Sequence, residues 1–232
     1  MPSRAASPSP GDRVETFVAA VSEALADALS LVLPVWCAGC DASGRILCRA
    51  CAAVLESEAA THRTVGGLSV RSALRFEGVA ARAIRALKED GRTSLARPLG
   101  ALLPPLVRRA GWDDAVLVPL PTSRAAFRRR GYAVPELLAQ RSGLTSRRML
   151  RAGGSTADQR LLGADERARN VRGTITVRGA LPDAPLVLLD DVVTTGATLD
   201  EARRALESVG GRVVGAVTVA ETPRRFSPAV RQ

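Results

Sequence analysis

The chain has 232 residues, enough for one sizeable domain with an appendage, and 46% of them are hydrophobic, as in a protein with a packed core. Its formal net charge is +10, from 33 basic and 23 acidic residues, and Lys88 is the only lysine in the basic set. No uninterrupted apolar run reaches the ~18 residues of a membrane span, and an aromatic content of 3% argues against a base-stacking surface for single-stranded nucleic acid.

Residues 1–11 are rich in Pro and Ser and read as a disordered tail. Asp12 is placed to cap a helix over residues 13–33. Val14, Phe17, Val18, Val21, Leu25, Leu29 and Val32 recur there at helical spacing and form one apolar face. Glu15, Glu23 and Asp27 interrupt the stretch, which argues against a secretion signal and for a cytoplasmic protein without membrane insertion.

All four cysteines follow in "CAGCDASGRILCRAC", as Cys37, Cys40, Cys48 and Cys51. Two C-x-x-C pairs with a short loop between them suit a tetrahedral, closed, structural Zn²⁺. A disulfide pair or a redox C-x-x-C are the alternatives. The first fits poorly in a chain without a secretion signal, and the second needs no second pair.

From Leu68 the pattern alternates strand and helix. "LSVRSALRF" reads as a strand, residues 79–87 as a helix, and residues 95–109 as a helix interrupted by Pro98 and Pro104. "AVLVPL" is a short buried strand, residues 134–140 are helical, and "PLVLLD" is a fully apolar strand of the parallel-sheet kind. Residues 198–209 form a helix stopped by Gly210-Gly211, and "VVGAVTVA" is a further strand. Residues 222–232 form a loose basic tail. Close strand–helix–strand order implies right-handed βαβ connections.

Asp190 and Asp191 end the apolar strand, where ligands of open parallel sheets bind. The neutral turn after them offers hydroxyls from Thr194, Thr195 and Thr198, a close backbone approach at Gly196, and the positive end of a helix. Such a turn suits a phosphate monoester. The acids would repel phosphate, so they suit sugar hydroxyls, or a Mg²⁺ reached directly or through water. Together these features predict a ribose with a phosphate at one end. The plainer reading is a Thr198-x-x-Glu201 capping box beside an ordinary turn. It leaves the acid pair unexplained.

This stretch resembles the phosphoribosyl pyrophosphate (PRPP) signature of type I phosphoribosyltransferases. With the cysteine module, "IRALKEDGR", "VPLPTSRAAFRRRGY" and "ADQRLLGADERARNVRG", residues 30–220 resemble the ComF/GntX family, which is associated with bacterial DNA uptake and competence. The resemblance implies an α/β fold of type I phosphoribosyltransferase kind: a mainly parallel sheet flanked by helices, with a small N-terminal four-cysteine zinc module. It implies boundaries at 12–60 for the helix and zinc module, 61–221 for the transferase-like domain and 222–232 for the tail. Asp190 and Asp191 match its ribose-contacting acids, and Thr194, Thr195, Gly196, Ala197 and Thr198 its 5-phosphate loop. The block containing Thr122, Ser123 and Arg124 resembles a pyrophosphate loop, and the block of residues 159–170 the loop that closes over PRPP. Lys88, Arg160 and Arg167 are further candidates for the pyrophosphate. The family's Arg-Gly-Phe-Asn-Gln is here Arg130-Gly131-Tyr132-Ala133-Val134, so two side-chain amides are missing.

The implied chemistry is phosphoribosyl transfer from Mg²⁺-bound PRPP with release of pyrophosphate. Its transition state carries charge on the leaving group and on an oxocarbenium-like sugar, so catalysis would be electrostatic. The alternative is a non-catalytic nucleotide- or single-stranded-DNA-binding component of the uptake machinery. Partners in that setting would be a competence protein and DNA. DNA binding is expected to be weak, salt-sensitive and sequence-independent, with Arg128, Arg129 and Arg130 contributing. His62, the only histidine, lies in a polar stretch and reads as solvated.

Overall fold

A computed structural model describes residues 35–57, 60–153 and 173–223. The expected N-terminal tail and helix, the C-terminal tail beyond Pro223, and the block of residues 159–170 with Arg160 and Arg167 lie outside the described residues.

In chain order, the described elements begin with α1 (Arg49–Ser57), β1 (Thr61–Val65), β2 (Leu68–Arg75) and α2 (Gly78–Lys88). A 3₁₀ turn (Thr93–Leu95) leads to α3 (Ala96–Gly100) and α4 (Leu103–Arg109). Then follow β3 (Val116–Pro119), α5 (Arg124–Arg130), α6 (Val134–Ser142), β4 (Leu150–Ala152), β5 (Ile175–Val177), β6 (Leu186–Val193), α7 (Ala197–Glu207) and β7 (Val213–Glu221).

Five strands form one sheet in the order β1-β2-β7-β6-β3, while β4 and β5 form a separate antiparallel pair. β1 joins β2 antiparallel, and every other pairing in the large sheet is parallel. The period of two along each strand sorts the core into two layers. Val187 and Leu189 of β6 join Leu117, Val217 and Val219 in a cluster with α2, α3, α4 and α6. Leu186 and Leu188 face the other way, with Val116, Val118 and Val70, and pack on Leu199, Ala202 and Leu206 of α7 and on Leu150 and Ile175 of the small sheet. Both faces of β6 are covered, which is why its sequence reads as an unbroken apolar run.

Three elements differ from the sequence expectation. The helix expected over 95–109 is split between Gly100 and Leu103, and Pro104 stands in the first turn of α4, where its missing N–H leaves no bond unmade. The strand expected to end at Asp190 continues to Val193, pairing Asp190 with Thr218 and Val192 with Ala220 of β7. The acids therefore lie within the hydrogen-bonded strand rather than beyond it. The capping box does not form: α7 starts at Ala197 with Gly196 as its N-cap and no side-chain cap bond.

Candidate functional site

The acid pair stands near the carboxyl end of the central strand. Asp190 Oδ1 accepts a bond from the Asp191 amide at 2.8 Å, and Asp191 Oδ1 accepts one from the Val192 amide at 2.9 Å. Asp191 is only 7% exposed. Lys88, the last residue of α2, places Nζ 2.7 Å from Asp191 Oδ2. Burial pushes the Asp190 carboxyl well above the usual range and the adjacent Asp191 adds to this, while Lys88 partly opposes it. One carboxylate is thus matched to a cation, and its neighbour is held above the usual carboxylate range.

Tyr132 fixes the end of α2 by donating its hydroxyl hydrogen bond to the Leu87 carbonyl, one residue before Lys88. Ala133 and Val134, which stand where the resembled family has amides, are buried. Val134 packs into the core, and neither side chain carries a polar group.

The loop after β6 is built around Gly196. Its φ is +86°, and a Cβ there would lie 2.2 Å from Val65 Cγ1, so both conformation and packing demand glycine. Thr194, Thr195 and Thr198 are exposed, and Thr195 Oγ1 accepts a long bond from the Ala197 amide at 3.4 Å. Arg63 of β1 donates to the Thr194 carbonyl at 2.6 Å and approaches Glu221 at 3.6 Å. It ties the edge hairpin to the loop. This role is not legible in the sequence, because Arg63 is remote from the loop in the chain and one arginine among many.

Glu201, freed from any cap, is turned under the small sheet. It is 4% exposed and accepts bonds from the amides of Gly173 at 2.8 Å and Ile175 at 3.4 Å. Arg204 donates to both of its oxygens at 2.7 Å. These bonds, with Arg204 the largest influence, hold its carboxyl below the usual range.

Of the residues expected at the pyrophosphate, Thr122 is half-buried, and Ser123 caps α5 by accepting from the Ala126 amide at 3.2 Å. Arg124 is the exposed first residue of α5. His62 is exposed on β1, with Nε2 3.0 Å from Ser69 Oγ.

The four cysteine sulfurs lie within 4.8 Å of one another, and none is in a disulfide. Cys40 and Cys48 Sγ are 3.6 Å apart. A tetrahedral ion with ~2.3 Å bonds to sulfur needs sulfurs about 3.8 Å apart, so the cluster has the right dimensions for zinc. Burial alone would raise the Cys37 thiol, but the Cys48 and Gly39 amides, each 3.3 Å from its sulfur, bring it down to about 6. Backbone donors aimed at a sulfur favour a thiolate, the ligating form. Arg92 fastens this module to the domain by donating to the carbonyls of Trp36 and Ile46.

Residues 151–229 match the model of the phosphoribosyl transferase domain, a span that includes the acid pair and the loop after it. The described fold is of phosphoribosyltransferase type, a mainly parallel sheet with flanking helices, and the four-cysteine cluster lies near its N-terminal end. No curated protein matches the chain. Among solved structures it is similar to adenine phosphoribosyltransferase from Saccharomyces cerevisiae, at 15% identity and TM-score 0.39, over 75% of this chain and 89% of that one. It is also similar to a hypoxanthine phosphoribosyltransferase from Staphylococcus aureus, at 14% identity and TM-score 0.37, over 62% and 70% of the two chains. A third is orotate phosphoribosyltransferase from Aeropyrum pernix, at 18% identity and TM-score 0.34, over 60% and 64%. Likenesses this low carry no information on substrate.

Proposed function

We propose that the chain binds PRPP with Mg²⁺ and transfers its phosphoribosyl group to an acceptor, releasing pyrophosphate, as a ComF-type protein linked to DNA uptake. The observation that carries this reading is the succession, on one strand and its exit loop, of Asp190, Asp191 and a neutral glycine turn, within the residues matched by the transferase domain model. The 5-phosphate would lie on the amides and hydroxyls of Thr194 to Thr198, at the start of α7. Asp190 and Asp191 would take the ribose hydroxyls, with Asp191 set in place by Lys88.

The donor set also bears on the metal. Asp191 Oδ2 is already matched by Lys88. The acids therefore fit a Mg²⁺ held mainly by PRPP oxygens, with water between it and the protein. When bound, the ion would neutralise charge on the leaving pyrophosphate. The protein's own part is to orient the ribose and to supply cations, with Arg124 at the start of α5 the described candidate on the pyrophosphate side. No described side-chain arrangement offers a nucleophile for covalent catalysis, and electrostatic stabilisation of the separating charges requires none.

The cysteine cluster supports one structural Zn²⁺ per chain. Among the described residues no helix is long and apolar enough to cross a membrane. That fits a cytoplasmic role, in which weak DNA binding and a competence-protein partner would be secondary. The non-catalytic alternative draws support from Ala133 and Val134, whose burial leaves no polar group where the resembled family has two.

Pyrophosphate release separates the two readings. Wild-type protein with Mg²⁺-PRPP and a panel of nitrogenous acceptors should liberate pyrophosphate, and Asp190→Asn and Asp191→Asn should bind PRPP more weakly and release less. PRPP binding without release under any acceptor would leave the binding-protein reading. Absence of PRPP binding by calorimetry would remove the transferase reading and leave only binding of nucleotide or DNA.

A further inference from the structure

Beside the acid pair's sheet lies a cavity of about 740 Å³, within the range of small-molecule sites. One wall is the loop after β3 with α5, and the other is the small sheet β4–β5. Five arginines line it: Arg124 and Arg128, one turn apart on α5, Arg148 and Arg151 at β4, and Arg178 just after β5. Glu136 is its single acid, and it is taken by Arg148 at 2.9 Å. Among the described residues the other four guanidinium groups have no ion pair.

Gathering like charges around a concavity costs free energy through mutual repulsion, and it focuses a positive potential into the space between them. An arginine excess spread by codon bias would not select one hollow, fed from both sides by separate elements. The planar fork of each guanidinium fits phosphate or carboxylate oxygens. Phe127 also lines the cavity and is 47% exposed, on a helix with no buried residue. Its ring therefore has no packing role in the core. Ala133, Leu150 and Ala152 supply apolar surface beside it.

Mg²⁺ offsets about half of the charge of a pyrophosphate, and Arg124 is the residue already given to that group; Arg128, Arg151 and Arg178 remain as further cations without an ion pair among the described residues, more than the leaving group needs. We infer that the cavity is the acceptor subsite, and that the acceptor is a phosphorylated aromatic heterocycle of nucleotide size. Its phosphate meets Arg151 and Arg178, and its ring lies against Phe127. The inference rests on the transferase reading given above. In that transfer the bond from ribose C1 to the pyrophosphate oxygen breaks and its electron pair leaves with pyrophosphate. A ring or exocyclic nitrogen of the acceptor forms the new bond to C1 and loses its proton to solvent.

The test is calorimetry on the full chain with nucleoside 5′-monophosphates as the probe, with and without saturating Mg²⁺-PRPP. A monophosphate should bind in both cases. The variant R151A/R178A should lower its affinity by about tenfold or more, the scale of losing charge-assisted bonds, while PRPP affinity stays unchanged. Phe127→Ala should weaken the monophosphates but leave inorganic pyrophosphate untouched. All three replaced side chains are exposed, and circular dichroism checks that the variants are folded.

Monophosphate binding that PRPP abolishes would overturn the inference, because the cavity would then be part of the PRPP site. So would monophosphates that fail to bind at millimolar concentration, or an oligonucleotide that alone shows the arginine dependence. Monophosphate binding lost in R151A/R178A, in a protein that never binds PRPP, would support the cavity as a nucleotide site while sinking the transferase reading.

Discussion

Glu201→Ala tests how the small sheet is held to the helix that carries the proposed phosphate loop. Glu201 is buried, and its carboxylate accepts the amides of Gly173 and Ile175. Removing it leaves two backbone donors without a partner and a void where the side chain lay. An orphaned buried donor costs roughly 1–3 kcal/mol. Gly173 is exposed and water can replace its bond, whereas Ile175 is buried and water cannot reach it easily. The Arg204 arm is open to solvent and adds little. The loss should be about 3 kcal/mol, which for a chain of this size lowers Tm by roughly 6–12 °C. The sign of the pH dependence follows from the depressed carboxyl of Glu201. A group whose pKa is lower in the folded state stabilises above its unfolded value and loses that stabilisation as pH falls through its folded value. The gap in Tm between wild type and Glu201→Ala should therefore be full at neutral pH and shrink in acid, below the ordinary glutamate range. Thermal melts followed by circular dichroism from neutral to acid pH measure it. A gap under about 2 °C at neutral pH, or one that stays constant into acid, would refute the assignment of Glu201 as an ionised tie.

Lys88→Arg should lower PRPP affinity by about tenfold with little change in Tm, because a planar guanidinium needs more room than the compact ammonium now 2.7 Å from Asp191 and would shift the carboxylate; equal affinity by calorimetry would mean that charge alone suffices. Gly196→Ala should destabilise the domain by more than about 2 kcal/mol and abolish PRPP binding, since the new Cβ meets Val65; a wild-type melting curve would count against the packing argument. Purified protein should carry one zinc per chain by elemental analysis, and Cys37→Ser should release it while leaving PRPP affinity within about twofold, as no part of the acid pair or its loop touches the module; a disulfide in place of zinc would end that assignment.

The sequence was most readable where one physical demand shaped a run of residues. Leu186 to Leu189 must face helices on both sides of the sheet, so they announce a buried strand in four letters. Gly196 and its threonines stand together in the chain because one turn uses them all. Other features depend on partners that only folding supplies. β1 has the polar sequence "THRTV" and is a strand because β2 pairs with it, a register that local propensity does not encode. α5, "RAAFRRR", buries nothing and so carries no periodic signal. Glu201 matched a capping pattern three residues after Thr198, but its carboxylate is claimed by amides more than twenty positions upstream. Lys88 stood out as the lone lysine and as a candidate for the pyrophosphate, whereas the structure pairs it with Asp191. Its contact with Asp191 depends on the packing of α2 against the sheet, and the Tyr132 bond to Leu87 that helps fix it joins positions 45 residues apart.

Because β6 continues past the acid pair to Val193, the backbone under Asp190 and Asp191 is held on both sides of the pair by the ladder to β7. Fixing one residue's backbone costs roughly 1–2 kcal/mol in conformational entropy. At these positions that cost is met when the sheet folds, long before any sugar arrives. A ligand's encounter with the acids should therefore be rigid docking onto a finished edge, with fast association and little structural adjustment there. The loop beyond Val193 has no such ladder and is steadied by Arg63 and Val65 from β1, an edge strand of the sheet. Anything that loosens the β1–β2 hairpin should thus blur the phosphate end of the site while leaving the sugar end intact, so that a single ligand is gripped with unequal stiffness at its two ends.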